Sequence, residues 1–452
     1  MDFKNKKVVV VGLGSTGFNS ALFLVKKGAD VFLTEINSTE QIYKEASLLN
    51  GKGIRTEIGK HTEEFITGMD ILVVSPGVPD NALPVRYAES RNIPVISEIE
   101  LAFMFSPTKK IIGITGTNGK TTTTALTGAI LKKAGIPVVV CGNIGNPFIG
   151  EIENITEDTY VVLEVSSFQL ERIKSFKPFI GCLLNIAEDH FDRHLNMENY
   201  IKAKKKIFFN QNENDFAILN YEDRYCRDIT EEIRANVFFF GHKSIEEKGV
   251  YKKGNVIISK LNGTQEILNI GETKLWGKGN IENMMASILI GLLCNVSPED
   301  VREAIYNFTP LPHRLERIAD INGVLFINDS KSTNPHSVIN ALESIEDDKE
   351  AILIMGGRNK NMTFSSVVPH FKKKVVLIIL IGEAKEKLAR EFKNTGVPLI
   401  LVNTIKDAVN EAFKNAKSGN IIMFSPGCTS FDMFNNYKER GDAFKKEVLS
   451  LL

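Results

Sequence analysis

Ile111 to Thr124 reads IIGITGTNGKTTTT: an apolar run, a turn carrying Gly116 and Gly119, then Lys120 followed by hydroxyl side chains. Glycines let a loop turn its N–H groups inward, and a helix starting near Thr121 adds the positive end of its dipole. Such a loop cradles phosphate. Lys120 would reach the β- and γ-phosphates of ATP as a point charge, and Thr121 would offer a hydroxyl to Mg²⁺. Gly116, Thr117, Asn118, Gly119, Lys120, Thr121 and Thr122 are therefore the expected nucleotide loop. The strict pattern G-x-x-x-x-G-K-[ST] needs glycine where Ile114 stands, so only its second half is met.

Further chemistry-bearing residues recur at the ends of apolar runs. Tyr160 to Leu163 delivers Glu164, a carboxylate able to complete a Mg²⁺ shell with Thr121 and phosphate oxygens. The run ending at Leu184 leads into Asn185-Ile186-Ala187-Glu188-Asp189-His190, more acid than solvation needs. In the helix that follows, a 3.6-residue period puts Tyr200, Ala203, Lys204, Ile207 and Phe208 on one face, with Lys202, Lys205 and Lys206 pointing elsewhere. A core-facing Lys204 would have a depressed pKa, although on periodicity alone four solvated lysines remain the simpler reading. Later clusters are Leu311-Pro312-His313-Arg314, Asn328-Asp329-Ser330-Lys331-Ser332-Thr333-Asn334, Gly356-Gly357-Arg358-Asn359-Lys360 and Ser425 to Asp432. Several polar loops at strand ends imply one rim gathered around a ligand.

These residues need parallel sheets to hold them. Near the N-terminus, Lys7 to Val11 leads into Gly12-Leu13-Gly14-Ser15-Thr16-Gly17 and a helix, with Glu35 ending the next strand, where a ribose-binding acid would sit. That is the dinucleotide fingerprint in its strand-to-helix context; a tight turn that binds nothing stays open beside it. The pattern breaks between Ser97 and Lys110 and again from Asn307 to Pro312, where prolines cannot continue a helix. Strand-like runs alternate with helices throughout, with shorter segments from Phe216 to Ile270 expected to add antiparallel strands and a core helix at Ile281 to Cys294. The expected fold class is α/β in three domains. Residues 1–97 form an N-terminal Rossmann-like domain, 98–309 a central P-loop-type ATPase domain with a mainly parallel sheet, and 310–452 a C-terminal Rossmann-like domain.

The 452 residues are 43% apolar and 24% charged, which is soluble globular composition with length for about three domains. Fifty-five basic and fifty-five acidic side chains cancel, so charge points to neither nucleic acid nor an anionic membrane. Five scattered cysteines suit buried free thiols in a reducing cytoplasm, and no apolar run is long enough to span a bilayer. We expect a cytoplasmic monomer acting on small molecules.

Taken together, these residues resemble the Mur ligase family over all three domains. GTNGKTT at Gly116 is the family-wide signature; LNIAEDHFDRH, GNIG at Gly142, LPHR and NDSKSTN point to its D-glutamate-adding branch. The resemblance implies ATP-dependent addition of D-glutamate to UDP-N-acetylmuramoyl-L-alanine through an acyl phosphate, releasing ADP and phosphate, in peptidoglycan precursor synthesis. It implies that Gly14, Ser15, Thr16 and Gly17 hold the uridine diphosphate and that Asn143 touches the muramoyl-alanine. Two Mg²⁺ ions are implied, one on Thr121 and Glu164, the other on His190 and a CO₂-derived carbamate on Lys204. Asn280 and Asn283 lie near adenine, and Arg314, Asp329 and Lys331 in the interdomain ATP site. Thr333, Lys360, Ser430 and Tyr437 form the D-glutamate pocket. With Lys120, the residues His190, Lys204 and Lys331 make the expected catalytic set. The third domain would swing onto the central one to complete the site. The rivals are a nicotinamide-dependent oxidoreductase built on Gly12 to Gly17, a folylpolyglutamate-type ligase and a non-catalytic nucleotide-binding regulator.

Overall fold

The computed structural model describes residues 2–346, 348–359, 362–371 and 374–452. Among the described residues, twenty strands are distributed over three sheets. The first is wholly parallel, in the order β3-β2-β1-β4-β5, from β1 (Lys7–Val11), β2 (Asp30–Glu35), β3 (Arg55–Ile58), β4 (Ile71–Val74) and β5 (Val95–Ser97). The chain winds outward from β1 to β3 and then restarts on the other side at β4. Its strand order therefore reverses at β1, and a crevice opens beyond that strand's carboxyl end.

The second sheet has the order β14-β13-β12-β11-β10-β9-β6-β8-β7. Its parallel part comprises β6 (Ile111–Thr115), β7 (Val138–Gly142), β8 (Tyr160–Glu164), β9 (Ile180–Leu183), β10 (Phe216–Asn220), β11 (Asn236–Gly241) and β12 (Gly249–Lys253). The antiparallel extension expected after Phe216 consists of β13 (Val256–Ser259) and β14 (Gln265–Asn269). β6 lies between β8 and β9 with every residue buried, as a strand covered on both faces must be. The helices Lys120–Lys133 and Lys278–Leu293 pack on one another over this core.

The third sheet runs β15-β16-β20-β17-β18-β19. β15 (Glu316–Ile321) is antiparallel to β16 (Val324–Asn328), while β17 (Ala351–Gly356), β18 (Val375–Ile381), β19 (Leu399–Leu401) and β20 (Ile421–Gly427) are parallel. Three strands were not anticipated from the sequence: β3, β5 and β15. β3 and β15 are edge strands with polar residues, and β5 is short. The five cysteines are all buried and free, and among the described residues no helix is long and apolar enough to cross a membrane.

Candidate active site

The loop after β6 leaves the centre of the second sheet at the point where strand order reverses. Gly119 sits at φ +86°, and a Cβ there would run into the Asn283 side chain, so both conformation and space require glycine. Asn118 is bracketed by its own domain: its N–H donates to Asn185 Oδ1 (2.8 Å), and its carbonyl accepts from Asn185 Nδ2 (3.2 Å). Thr117 Oγ1 accepts from the Ala187 N–H at 3.0 Å, which ties the loop to the segment that follows β9. Lys120 Nζ folds back to donate to the carbonyls of Gly116 and Thr117, both at 2.9 Å. The lysine is thereby held over its own loop, where an incoming phosphate would meet it.

Lys204 is 1% exposed, and its Nζ donates to the Gly116 carbonyl at 2.7 Å. Burial, reinforced by the nearby Lys120 charge, holds its ammonium well below the usual lysine range, against the pull of Asp189, Cys226 and Glu164. Of the four lysines in that run, this one alone enters the core. At the end of β8, Glu164 is buried; Asn143 Nδ2 donates to its Oε1 at 2.8 Å, while its Oε2 has no hydrogen-bond partner. An orphaned, buried carboxylate oxygen next to a phosphate loop is a fitting donor for a hard cation. Among the described residues no three His, Cys, Asp or Glu side chains cluster to hold a metal by themselves.

The third domain supplies the opposite wall. Arg314 lies between His313 (φ +63°) and Leu315 (φ +48°), two left-handed residues held by hydrogen bonds from His313 N–H to Glu316 Oε2 (3.0 Å) and from Leu315 N–H to Asp329 Oδ1 (3.2 Å). Backbone strain of this kind persists only where the surroundings impose it, and the residue between the two lines the cavity. Burial lowers Arg314 from its ordinary value, opposed by Glu164, Tyr437 and Asp329. Burial also pushes the Asp329 carboxyl up to about 7, although the Ser425 hydroxyl donates to it at 3.0 Å. Lys331 Nζ stands 4.0 Å from the centre of the Tyr437 ring.

A cavity of about 370 Å³ lies between these walls. Thr117 to Thr122, Asn143, Glu164, His190, Asn280 and Asn283 line it from the central domain, and Arg314, Asp329, Lys331, Thr333, Ser430 and Tyr437 from the third. Gly116 and Lys204 lie behind the loop, joined to it by their hydrogen bond. Gly14, Ser15, Thr16 and Gly17 are outside the cavity, at the start of the helix Ser15–Lys26 that follows β1. Lys360 lies outside the described residues. Glu35 departs from the ribose-binding expectation: its Oε2 accepts from the Leu13 N–H (2.8 Å) and its Oε1 from Asn37 N–H and Nδ2 (both 2.7 Å), so its carboxylate serves its own loops.

Among the lining residues to which sequence reasoning assigned no role are Asn185 and Asp189, in the segment after β9, and Asn334, at the end of NDSKSTN; His336, beside the lining residues Asn334 and Ser337, carried no signal at all. Asn334 Nδ2 donates to Asp189 Oδ2 at 3.1 Å, and Asn118 Nδ2 meets His336 Nδ1 at 2.9 Å, so the third domain touches the phosphate loop.

Comparison with known proteins adds three family matches: the Mur ligase MurD-like N-terminal domain over residues 6–97, the Mur ligase middle domain over 114–291 and the Mur ligase glutamate ligase domain over 313–428. The UDP-N-acetylmuramoylalanine--D-glutamate ligase of Caldicellulosiruptor bescii is 44% identical, covering 100% of this chain and 99% of its own length. The same-named enzyme of Clostridioides difficile is 39% identical, with 100% of both chains covered. Among solved structures, a pseudomurein peptide ligase type C from Methanothermus fervidus superposes with TM-score 0.63 at 17% identity, over 99% of this chain and 100% of its own. UDP-N-acetylmuramate-alanine ligase from Thermotoga maritima gives 0.60 at 18%, with the same coverage. These two likenesses establish the three-domain fold.

Proposed function

The chain belongs to the Mur ligase family, and from that premise we propose that it joins D-glutamate to UDP-N-acetylmuramoyl-L-alanine at the expense of ATP, in the cytoplasmic synthesis of peptidoglycan precursors. The observation that carries the reading is the meeting, around one cavity, of the Lys120 loop with Lys331, Arg314 and Asp329 of the third domain. A carboxylate is a poor electrophile, and the pairing of a phosphate loop with a second cationic wall is what its activation by phosphoryl transfer needs.

The alanine carboxylate of the sugar nucleotide attacks the γ-phosphorus of ATP in line, giving an acyl phosphate and ADP. Lys120 and Lys331 face the charge that spreads over the transferring group. The amine of D-glutamate then attacks the acyl carbon, and inorganic phosphate leaves. Thr121 and Glu164 would hold one Mg²⁺ and His190 a second, together with a carbamate on Lys204; bound there, the ions neutralise charge on the phosphates. A depressed Lys204 pKa supports the carbamate, since the neutral amine is the form that adds CO₂. Asn280 and Asn283 flank the adenine, and Thr333, Lys360, Ser430 and Tyr437 receive D-glutamate. Asn143 meets the muramoyl-alanine, and the Gly14 to Gly17 turn holds the uridine diphosphate. The three parts of the work are assigned to residues 1–97, 98–309 and 310–452.

The test is phosphate release from ATP with UDP-N-acetylmuramoyl-L-alanine and D-glutamate, L-glutamate or no amino acid. Release that requires both the sugar nucleotide and D-glutamate is expected. Release with a folate and L-glutamate instead would overturn the substrate assignment and leave the phosphate loop standing.

A further inference from the structure

We propose that His336 is a positioning residue that latches the third domain onto the phosphate loop by accepting a hydrogen bond from Asn118; the proposal rests on the reading of that loop as the nucleotide site. The chain of donors fixes the protonation of the histidine. Asn334 caps the helix Pro335–Glu343, with its Oδ1 accepting from the Ser337 N–H at 2.8 Å. Its amide orientation is thereby set, and its Nδ2 must face outward, where it donates to Asp189 Oδ2 at 3.1 Å and to Asn118 Oδ1 at 3.4 Å. Asn118 Oδ1 is then the end turned to Asn334, which leaves Asn118 Nδ2 against His336 Nδ1 at 2.9 Å. Asn340 Nδ2 approaches the same nitrogen at 3.4 Å. With amide donors on that side, Nδ1 has to be the acceptor, and the ring proton has to sit on Nε2.

The latch therefore exists only with a neutral imidazole. Protonation would set an N–H against an N–H and leave the third domain only the longer Asn334 contact, 3.4 Å, on the residue two before Lys120. Three acids and one lysine act on the ring through their charges: Glu282 and Lys278 from the helix Lys278–Leu293, Asp223 from the loop after the tenth strand and Glu343 from its own helix. Burial outweighs the acids and lowers His336 from its ordinary value, so the neutral form prevails at pH 7 and the latch is lost as pH falls through the depressed value. Nucleotide contacts on both walls require the domains to be together, so weakening the latch taxes nucleotide affinity.

Binding of a fluorescent ATP analogue with Mg²⁺ tests this apart from the identity of the amino acid. His336→Leu is expected to weaken affinity about fivefold, the scale of one net hydrogen bond, while staying folded at the assay temperature. Asn118→Ala combined with it should add less than the two single losses together, since both remove one bond. His336→Asn puts a non-titrating oxygen near the Nδ1 position; it should bind nearly as the wild type at pH 7.5 and lack the loss of affinity that the wild type shows as pH falls below the ordinary histidine range. Wild-type affinity in a folded His336→Leu, strict additivity, or an unchanged acid limb in His336→Asn would each overturn the latch. Failure of ligation with the expected affinity pattern intact would sink the substrate reading alone. A wild type that binds no nucleotide would sink both.

Discussion

The chain carries two glycine loops of the same design, each leaving a central parallel strand at a point where strand order reverses and leading into a helix. They differ in what surrounds them. The loop after β1 has no lysine, its one nearby acid is consumed internally by the Leu13 N–H, and Ser15 at its tip is exposed. The loop after β6 has Lys120 folded over it, Lys204 buried beneath it, and Asn118 in contact with another domain. Backbone N–H groups and a helix dipole suffice to hold a diphosphate that does not react. Moving a phosphoryl group requires charge that can be brought to bear on it, which only the second loop possesses.

The sharpest way to separate the two is Lys120→Met. Turnover is expected to fall on the order of 10² to 10³-fold, the scale for losing one charged group at the transferring phosphate, while calorimetric affinity for the sugar nucleotide stays unchanged. An equal loss of both would mean the loops are not independent. The converse variant is Gly17→Ala. A Cβ at Gly17 would strike the Gly12 carbonyl oxygen, which also accepts the Ser75 hydroxyl at 3.2 Å. The strand-to-helix turn must then shift, with an expected loss of about 3 kcal/mol in denaturant unfolding and a matching loss of sugar-nucleotide binding. ATP-analogue affinity should be spared.

How far sequence reads each loop follows from where its determinants lie. β1, β6 and β8 were legible because strands buried on both faces must be continuous apolar runs. β3 reads Arg-Thr-Glu-Ile and β15 starts Glu-Arg, since edge strands escape that constraint, and pairing rather than composition makes them strands. Lys204 could be placed on the core face by period, but its hydrogen bond to Gly116 spans two segments 88 residues apart. Asn334 and His336 matter through the docking of one domain on another, which no local pattern encodes. Glu35 shows the reverse failure: spacing suggested a ligand, and the fold gives its oxygens to the Leu13 and Asn37 N–H groups and the Asn37 side chain.

The joint between the two loop-bearing domains provides a third contrast. Glu98, just beyond β5, is 1% exposed; its Oε1 accepts from the Ile149 N–H at 2.6 Å and its Oε2 has no partner. Burial raises this carboxyl from 4.5 to about 7. Between those values the folded chain binds more protons than the unfolded one, so this group's contribution is complete below about pH 4.5 and is lost as pH rises through about 7. Glu98→Gln retains the acceptor for Ile149 without the charge. Its stability relative to the wild type should therefore increase by about 2 kcal/mol between pH 5 and pH 8, read from chemical denaturation at each pH. Parallel pH curves would mean that water or a cation reaches the second oxygen and that the joint is open.

The smallest expected effect bears on the first loop alone. If Glu35 is an internal tie, Glu35→Ala strands the buried Leu13 N–H and the Asn37 N–H, and the cost of about 1 kcal/mol is present with no ligand bound. If it were a ribose-binding acid, the unliganded protein would melt as before and the whole cost would fall on sugar-nucleotide affinity. Melting the variant with and without the sugar nucleotide separates the two, because a ligand shifts the transition only by its own affinity for the folded state. An equal drop in both melts is what the hydrogen bonds predict. It would place the loop's rigidity, rather than any acid-to-sugar contact, at the origin of diphosphate binding.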